Sequence, residues 1–184
     1  GAAPRVKLDG SRLDGGRIVV SRDTRPSGPM VHAAVCSGLL ASGCEVIDLG
    51  VCPTPSLQLA ARQFEAEGGI AITAGHNPSK WNALKFVRSD GLYLNATQAE
   101  ELLDIYHQGE YTRVSGAEMR AVVELPGATD LHIQTIVDAL GPIPPAKKKL
   151  RVVLDACNGA GSIAGPKLLA ALGAEVSSIN VTPN

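Results

Sequence analysis

Aromatic residues make up only 3% of this 184-residue chain: one Trp, three Tyr and two Phe. Apolar residues still reach 45%, so a core of ordinary size must be assembled from Ala, Val, Leu and Ile. An excess of either charge is also missing, with 17 Lys and Arg against 18 Asp and Glu and a formal net charge of -1. That argues against a nucleic-acid partner held by a general basic field, and none is expected. Lys147, Lys148 and Lys149 with Arg151 form a local basic cluster. It is too short to alter the balance and reads as the solvated face of a linker. No apolar run approaches the ~20 residues needed to cross a bilayer, so no membrane partner is expected. The start lacks the charged-then-apolar order of a signal peptide, and Gly1 reads as a processed or cloned start. Cys36, Cys44, Cys52 and Cys157 include no C-x-x-C pair. Each lies in or beside an apolar segment, where Cys behaves as a small hydrophobe. Free thiols are the leading reading over a metal site or a disulfide, which suits a reducing cytoplasm.

What is present is an alternation of short β-branched runs and helical periods. Arg17–Ser21 reads as a strand leading into Arg22-Asp23-Thr24-Arg25, which Pro26-Ser27-Gly28-Pro29 interrupts. Ser27 is placed to cap a helix that has Pro29 in its first turn, with Val31, Val35 and Leu39 on one face to about Ser42, and Gly43 as its stop. Glu45–Leu49 is a second strand. Thr54 is placed to cap a helix through Leu57, Ala60 and Phe64, ended by Gly68-Gly69. Gly69–Thr73 is a third strand, apolar throughout as in a buried parallel sheet. Such an order predicts an α/β layer with right-handed crossovers, whose ligands collect at the carboxyl ends of the strands. Leu84–Val87 and Leu92–Leu94 read as a hairpin about an Asp90-Gly91 turn. Thr97–His107 reads as a helix with a Thr97/Glu100 capping box, residues 109–128 are weakly periodic, and Asp130–Leu140 is a further helix.

The chain is long enough for one domain and part of a second. Pro142-Ile143-Pro144-Pro145 reads as a stiff connector, giving a first domain over 1–141, a linker over 142–149 and a second α/β unit over 150–184. In that unit Leu150–Asp155 is a strand, Cys157–Ser162 a Gly-rich turn, Ile163–Leu172 a helix and Ala174–Val181 a strand. One β-α-β unit can hardly bury both faces of its sheet, so it is expected to be incomplete. Its apolar surface predicts self-association or the docking of a complementing fragment.

The candidate site is Thr73-Ala74-Gly75-His76-Asn77-Pro78, at the end of the third strand. Gly75 lets backbone amides approach an anion, His76 can donate a hydrogen bond or carry charge near neutral pH, and Lys85 adds a positive charge from the following strand. Those donors suit a phosphate or phosphosugar. The competing reading is an ordinary turn with a surface histidine. The Gly159-Ala160-Gly161 turn ahead of a helix reads as either a phosphate cradle or a structural opening of the second unit.

The loop and its surroundings resemble the phosphoserine loop of the α-D-phosphohexomutases, the phosphoglucomutase, phosphomannomutase and phosphoglucosamine mutase family. That family runs from an apolar strand into Thr-Ala-Ser-His-Asn-Pro, then Tyr or Trp, Asn, two variable residues and Lys. Thr73, Ala74, His76, Asn77, Pro78, Trp81, Asn82 and Lys85 match it, while Gly75 stands where the family has serine. Ala83 replaces a common Gly. Three further blocks are similar in the expected order: Arg22–Ser27, Asp48-Leu49-Gly50 with Pro53-Thr54-Pro55, and Asp155–Gly161. The family's Asp-Gly-Asp-x-Asp-Arg magnesium loop and its Gly-Thr-x-Gly-x-Arg-Gly block do not occur in this sequence, and its sugar-binding and phosphate-gripping loops are not found either.

The resemblance implies a mixed, mostly parallel sheet layered with helices, and a parent enzyme that moves a phosphoryl group between the 1- and 6-positions of a hexose phosphate. The partners so implied are a hexose phosphate and a hexose 1,6-bisphosphate. The same resemblance places Gly75 at the lost nucleophile, His76 and Lys85 at the reacting phosphoryl group, and Thr73, Asn77, Arg22 and Arg25 around it. For Arg25 the alternative is structural, with Asp23 tying the strand end to its loop. The parent cofactor is Mg2+; with the serine oxygen at 75 gone and the other ligands missing, this chain is expected to be an N-terminal fragment that neither holds the ion nor turns over alone. Two rivals stay open: a non-catalytic homologue that binds phosphosugar or a protein partner, and rerouting of the phosphoryl group to Thr73 or Ser79.

Overall fold

A computed structural model describes residues 15–109, 111, 113–141 and 149–183. Five strands form one sheet: β1 (Arg17–Arg22), β2 (Glu45–Val51), β3 (Gly68–Ile72), β4 (Leu84–Arg88) and β5 (Val122–Glu124), in the order β4-β3-β1-β2-β5. β1 is parallel to both β2 and β3, β5 is parallel to β2, and β4 alone runs antiparallel, at the edge beside β3. The helices are α1 (Gly28–Ala41), α2 (Thr54–Gln63), α3 (Ala96–Gln108) and α4 (Ala128–Leu140). β6 (Arg151–Asp155), α5 (Gly161–Ala171) and β7 (Glu175–Ile179) follow, with β6 and β7 parallel in a two-stranded sheet.

The period of two in β1 divides the core. Val19 faces a cluster with Leu57, Ala60 and Ala61 of α2 and Ala128 of α4. Val20 faces the opposite cluster, where Ile70, Ile72 and Val46 meet Cys36, Val35 and Leu39 of α1. Successive strand residues point to opposite faces, so two adjacent valines serve two layers. Val19, Val20, Leu57 and Ile72 are all 0% exposed, each worth about 1.5–3 kcal/mol of transfer energy. Ala60 and Ala61 stand three and four residues after Leu57, on the one helical face that meets the sheet. The scarcity of aromatics is met as the composition requires, with small aliphatic side chains and close spacing. A Cβ added at Gly69 would lie 2.7 Å from Val19 Cγ2 and 2.9 Å from Leu57 Cδ2.

Several sequence expectations shift. Ser27 stands at the N-cap of α1 but makes no capping bond; its hydroxyl accepts from Asn82 instead. α2 begins at Thr54 itself, with Pro53 at the N-cap. α2 stops at Phe64, followed by a left-handed Glu65, and not at Gly68-Gly69, which lie in β3. The capping box of α3 is formed by Asn95 and Gln98 and not by Thr97 and Glu100: Gln98 N donates to Asn95 Oδ1 over 2.9 Å and Asn95 N to Gln98 Oε1 over 3.1 Å. The hairpin after β4 is present but short: Arg88 N donates to Leu92 O over 2.8 Å and Leu94 N to Phe86 O over 3.4 Å about one antiparallel bridge, Val87 to Tyr93. β5 lies within the weakly periodic stretch and was not expected. The connector over 142–149 falls outside the described residues apart from Lys149. Among the described helices none is long and apolar enough to cross a membrane.

Candidate functional site

The exits of β1, β2 and β3 converge. Asp23 N donates to Ile72 O over 3.1 Å and Cys52 N to Arg22 O over 3.3 Å, so the segments that leave the three strands are tied at the carboxyl edge of the sheet. This edge is where open α/β sheets bind ligands. A cleft of about 260 Å3 opens here beside Arg22, Thr24, Arg25, Pro26 and Val51, with Pro183 on the far wall. A smaller one of about 40 Å3 adjoins Arg22, Asp23 and Thr73, with Ala160 opposite. The second unit therefore faces the strand ends through the start of α5 and the residues after β7.

Arg25 builds the loop at 73–81. Its Nε donates to Asp23 Oδ2 over 3.0 Å. One terminal nitrogen donates to Pro78 O over 2.9 Å and Trp81 O over 3.1 Å, the other to Gly75 O over 2.7 Å and Asn77 O over 2.8 Å. A guanidinium has five N–H groups, and all five are occupied. The side chain is 9% exposed and its Asp23 partner 17%, so the pair is largely desolvated. Asp23 also accepts from Arg25 N over 3.0 Å and from the Thr73 hydroxyl over 2.7 Å. Thr73 Oγ1 in turn accepts from Gly75 N over 3.2 Å. Asn77 turns its amide back onto Ala74 O over 3.0 Å. Asn82 donates to Ser27 Oγ over 3.0 Å and accepts from Ala83 N over 2.9 Å, pinning the far side of the loop to the start of α1.

The side-chain groups of Arg25, Thr73 and Asn77 are thus engaged within the loop, and Arg25 has no donor left for a phosphate. Its bonds tie the strand end to the loop, as in the structural alternative. Arg22 uses one terminal nitrogen on Asp23 O and lines both clefts. His76 is exposed and Lys85 half-buried on β4, opposite Ala71 of β3. Neither side chain makes a hydrogen bond or ion pair among the described residues. Asn82 and Ser27 were not singled out from sequence as site-forming; their bond joins positions 55 residues apart and no local pattern announces it.

Gly75 has φ +58° and is exposed, and a Cβ built on it meets nothing within 4 Å. The backbone is left-handed, where an L side chain is strained, but the space a side chain would enter is open. The donor set does not fit a magnesium ion: position 75 offers no side-chain oxygen, and no group of three His, Cys, Asp or Glu side chains converges among the described residues. At the start of α5, Gly159 N donates to Ala156 O over 2.9 Å and Ser162 N to Gly159 O over 3.0 Å, so this turn closes on itself. The cysteines are free thiols as expected, with Cys36 and Cys52 buried and Cys157 exposed. Burial pushes the Cys52 thiol up to about 11.

The model of the phosphoglucomutase/phosphomannomutase α/β/α domain I matches residues 7–113. This chain belongs to that family. Among its relatives, a phosphoglucomutase/phosphomannomutase of Thermococcus kodakarensis is 37% identical over 172 residues, covering 91% of this chain and 36% of the relative. A phosphoglucosamine mutase of Bifidobacterium adolescentis is 36% identical and covers 100% of this chain and 42% of its own length. The crystal structure of a phosphoglucomutase/phosphomannomutase family protein from Burkholderia thailandensis superposes with a TM-score of 0.74 at 26% identity, over 91% of this chain and 36% of that one. The chain thus spans roughly two fifths or less of the phosphohexomutases it matches. The mixed, mostly parallel sheet with helices expected from the resemblance is the fold observed.

Proposed function

We propose that this chain supplies the phosphoryl-loop part of a phosphohexomutase-type site and does not itself turn over a hexose phosphate. The parent reaction moves a phosphoryl group from a serine to one hydroxyl of the sugar, giving a bisphosphorylated hexose. It then takes the phosphoryl group back from the other end. Each transfer forms one P–O bond and breaks one, with charge neutralisation and alignment doing most of the work. The observation that carries the reading is the loop at 73–81, held open at the strand ends by Arg25 around a position with no nucleophile. His76 and Lys85 remain without partners among the described residues to meet a phosphoryl group, and Arg22 lines the adjoining cleft. Removing a nucleophile commonly costs several orders of magnitude in rate, and Thr73 is no substitute because its hydroxyl is committed to Asp23.

A second reading is supported by one observation. The φ of +58° at Gly75 is a conformation glycine favours, as a loop adapted to non-catalytic binding of a phosphosugar would have. One experiment addresses both. The chain and its Gly75→Ser variant are each incubated with a hexose 1,6-bisphosphate and followed by intact mass, peptide mapping and mutase turnover. The expected result is no phosphate adduct and no turnover on the chain itself, with any adduct on the variant mapping to the introduced serine alone. Normal turnover by the unaltered chain would falsify the reading; specific phosphosugar binding by the chain, with no adduct on either protein, selects the non-catalytic one.

A further inference from the structure

A second cavity, of about 490 Å3, opens between β4 and α3. Its walls include Phe86, Tyr93, Leu94, Leu102 and Leu103, with Lys85 as the charged residue among them. We propose that it binds a small organic monocarboxylate with an apolar body, the carboxylate pairing with Lys85 and the body lying against α3. The volume falls in the range of small-molecule sites, and an apolar wall with a single well-placed polar group is their usual composition.

Three observations carry this. Lys85 lines the cavity half-buried, and its side chain has neither an ion pair nor a hydrogen bond among the described residues. Such a group favours an anion of its own. The cavity is also not closed by packing: α3 has no buried residue, with Leu103 55% and Tyr106 76% exposed, and its ends are fixed by the Asn95/Gln98 box and a left-handed Gly109. Arg88 of β4, donating to Gln98 Oε1 over 3.3 Å, ties the start of the helix to the sheet, and Ala99, Leu102 and Leu103 line the open space between them. Finally, the chemistry discriminates between anions. One lysine and one phenol cannot satisfy the several acceptor oxygens of a phosphate, whereas a monocarboxylate needs few donors and its tail removes apolar wall from water.

This goes beyond the phosphoryl-loop reading and meets it at a single residue. On the reading that sets Lys85 at the phosphoryl group, an anion that holds its ammonium in the cavity withdraws it from the loop, so occupancy here and phosphate binding at residues 73–81 would oppose each other. Reciprocal coupling of this kind must weaken both ligands by the same factor.

Octanoate and octanol serve as a matched pair of probes, titrated into the chain and followed by calorimetry and by amide shifts of residues 84–108. The expected result is an octanoate Kd of about millimolar or tighter, at least tenfold tighter than that of octanol. Lys85→Met is expected to erase that preference while leaving octanol unchanged. Leu103→Asp, a substitution at a residue already largely exposed, is expected to weaken octanoate and Leu103→Lys to tighten it. No saturable octanoate binding, equal binding of the two probes, or octanoate binding indifferent to Lys85→Met would overturn the proposal. Tighter displacement by an acidic leucine-rich peptide than by any free acid would overturn it in favour of a protein partner. None of these readouts depends on mutase turnover or on a phosphate adduct, so the phosphoryl-loop reading stands or falls separately.

Discussion

Arg25→Ala should open the loop at 73–81 and destabilise the whole sheet edge. The guanidinium is 9% exposed and holds Asp23 and the carbonyls of Gly75, Asn77, Pro78 and Trp81. Removing one partner of a buried ion pair costs about 3–5 kcal/mol because the other charge is left stranded. Here the loss is moderated. Asp23 keeps the Thr73 hydroxyl and the backbone amide of residue 25, and the loop carbonyls are near enough to solvent for water to replace the arginine. About 2–4 kcal/mol is then expected, a large share of the ~5–15 kcal/mol that holds a domain together. With a urea m-value of about 2 kcal/mol per molar, the middle of the usual range, the unfolding midpoint should fall by roughly 1–2 M. Arg25→Lys keeps the charge but has three donors and no planar fork, so it should recover the Asp23 part and not the loop part. Hydrogen exchange separates the two: the Asn77 and Trp81 amides should exchange faster in both variants, and strand amides such as Ile72 only in Arg25→Ala. A loss below about 0.5 kcal/mol with unchanged exchange at these amides would refute the clamp.

Gly75→Ser should cost about 1–2 kcal/mol, from left-handed backbone strain alone, because a Cβ there meets nothing within 4 Å; a larger loss in urea unfolding would show a clash the geometry lacks. Gly69→Ala should cost about 1–3 kcal/mol, since its Cβ would come within 3 Å of Val19 and Leu57, and an unchanged melting temperature would count against the packing. His132 is bonded to the buried Ser56 hydroxyl over 3.0 Å, and burial holds its imidazole below its ordinary value. The unfolded chain therefore takes up a proton first as pH falls, so stability present above about pH 6.5 should decline below it; His132→Gln should flatten that part of the Tm-against-pH profile. In the native protein at pH 8 a thiol reagent should label the exposed Cys157 first, with Cys52, held up at about 11, reacting only on unfolding.

Much of this fold is written in local pattern. The apolar runs at β1, β2 and β3 and the helical periods between them are each decided within a dozen residues, which is why their order and the site's place at the strand ends could be read directly. What escaped is decided at a distance. β5 is three residues long and all of them are exposed; its two valines favour a strand, but so short a run becomes one only because it pairs with β2. The capping residues of α3 were misjudged because two overlapping patterns compete, Asn95/Gln98 and Thr97/Glu100, and Gln98 has the additional support of Arg88 over 3.3 Å. At the site, sequence identified the loop and offered the Arg25–Asp23 tie as one of two readings, but not the four carbonyls that Arg25 holds. Arg25 lies 50–56 residues before the carbonyls it holds, and only the folded sheet brings the ends of β1 and β3 side by side.

The support explains how this loop can hold its shape without a serine. Every bond that shapes it comes from Arg25, Asp23, Thr73, Asn77, Asn82 or the backbone, and none needs a side chain at position 75. The cradle and the carrier are therefore separable. On the proposed reading, glycine in place of a serine here removes an attacking oxygen and a metal-ligand oxygen but no bond that holds the loop. A left-handed φ at that position would burden serine by about 1–2 kcal/mol and burdens glycine not at all. The substitution is then a chemical deletion that is structurally free or slightly favourable. On the proposed reading, loss of turnover follows from the missing oxygen, and the loop around it stays ordered by an arginine with no donor left for a phosphate.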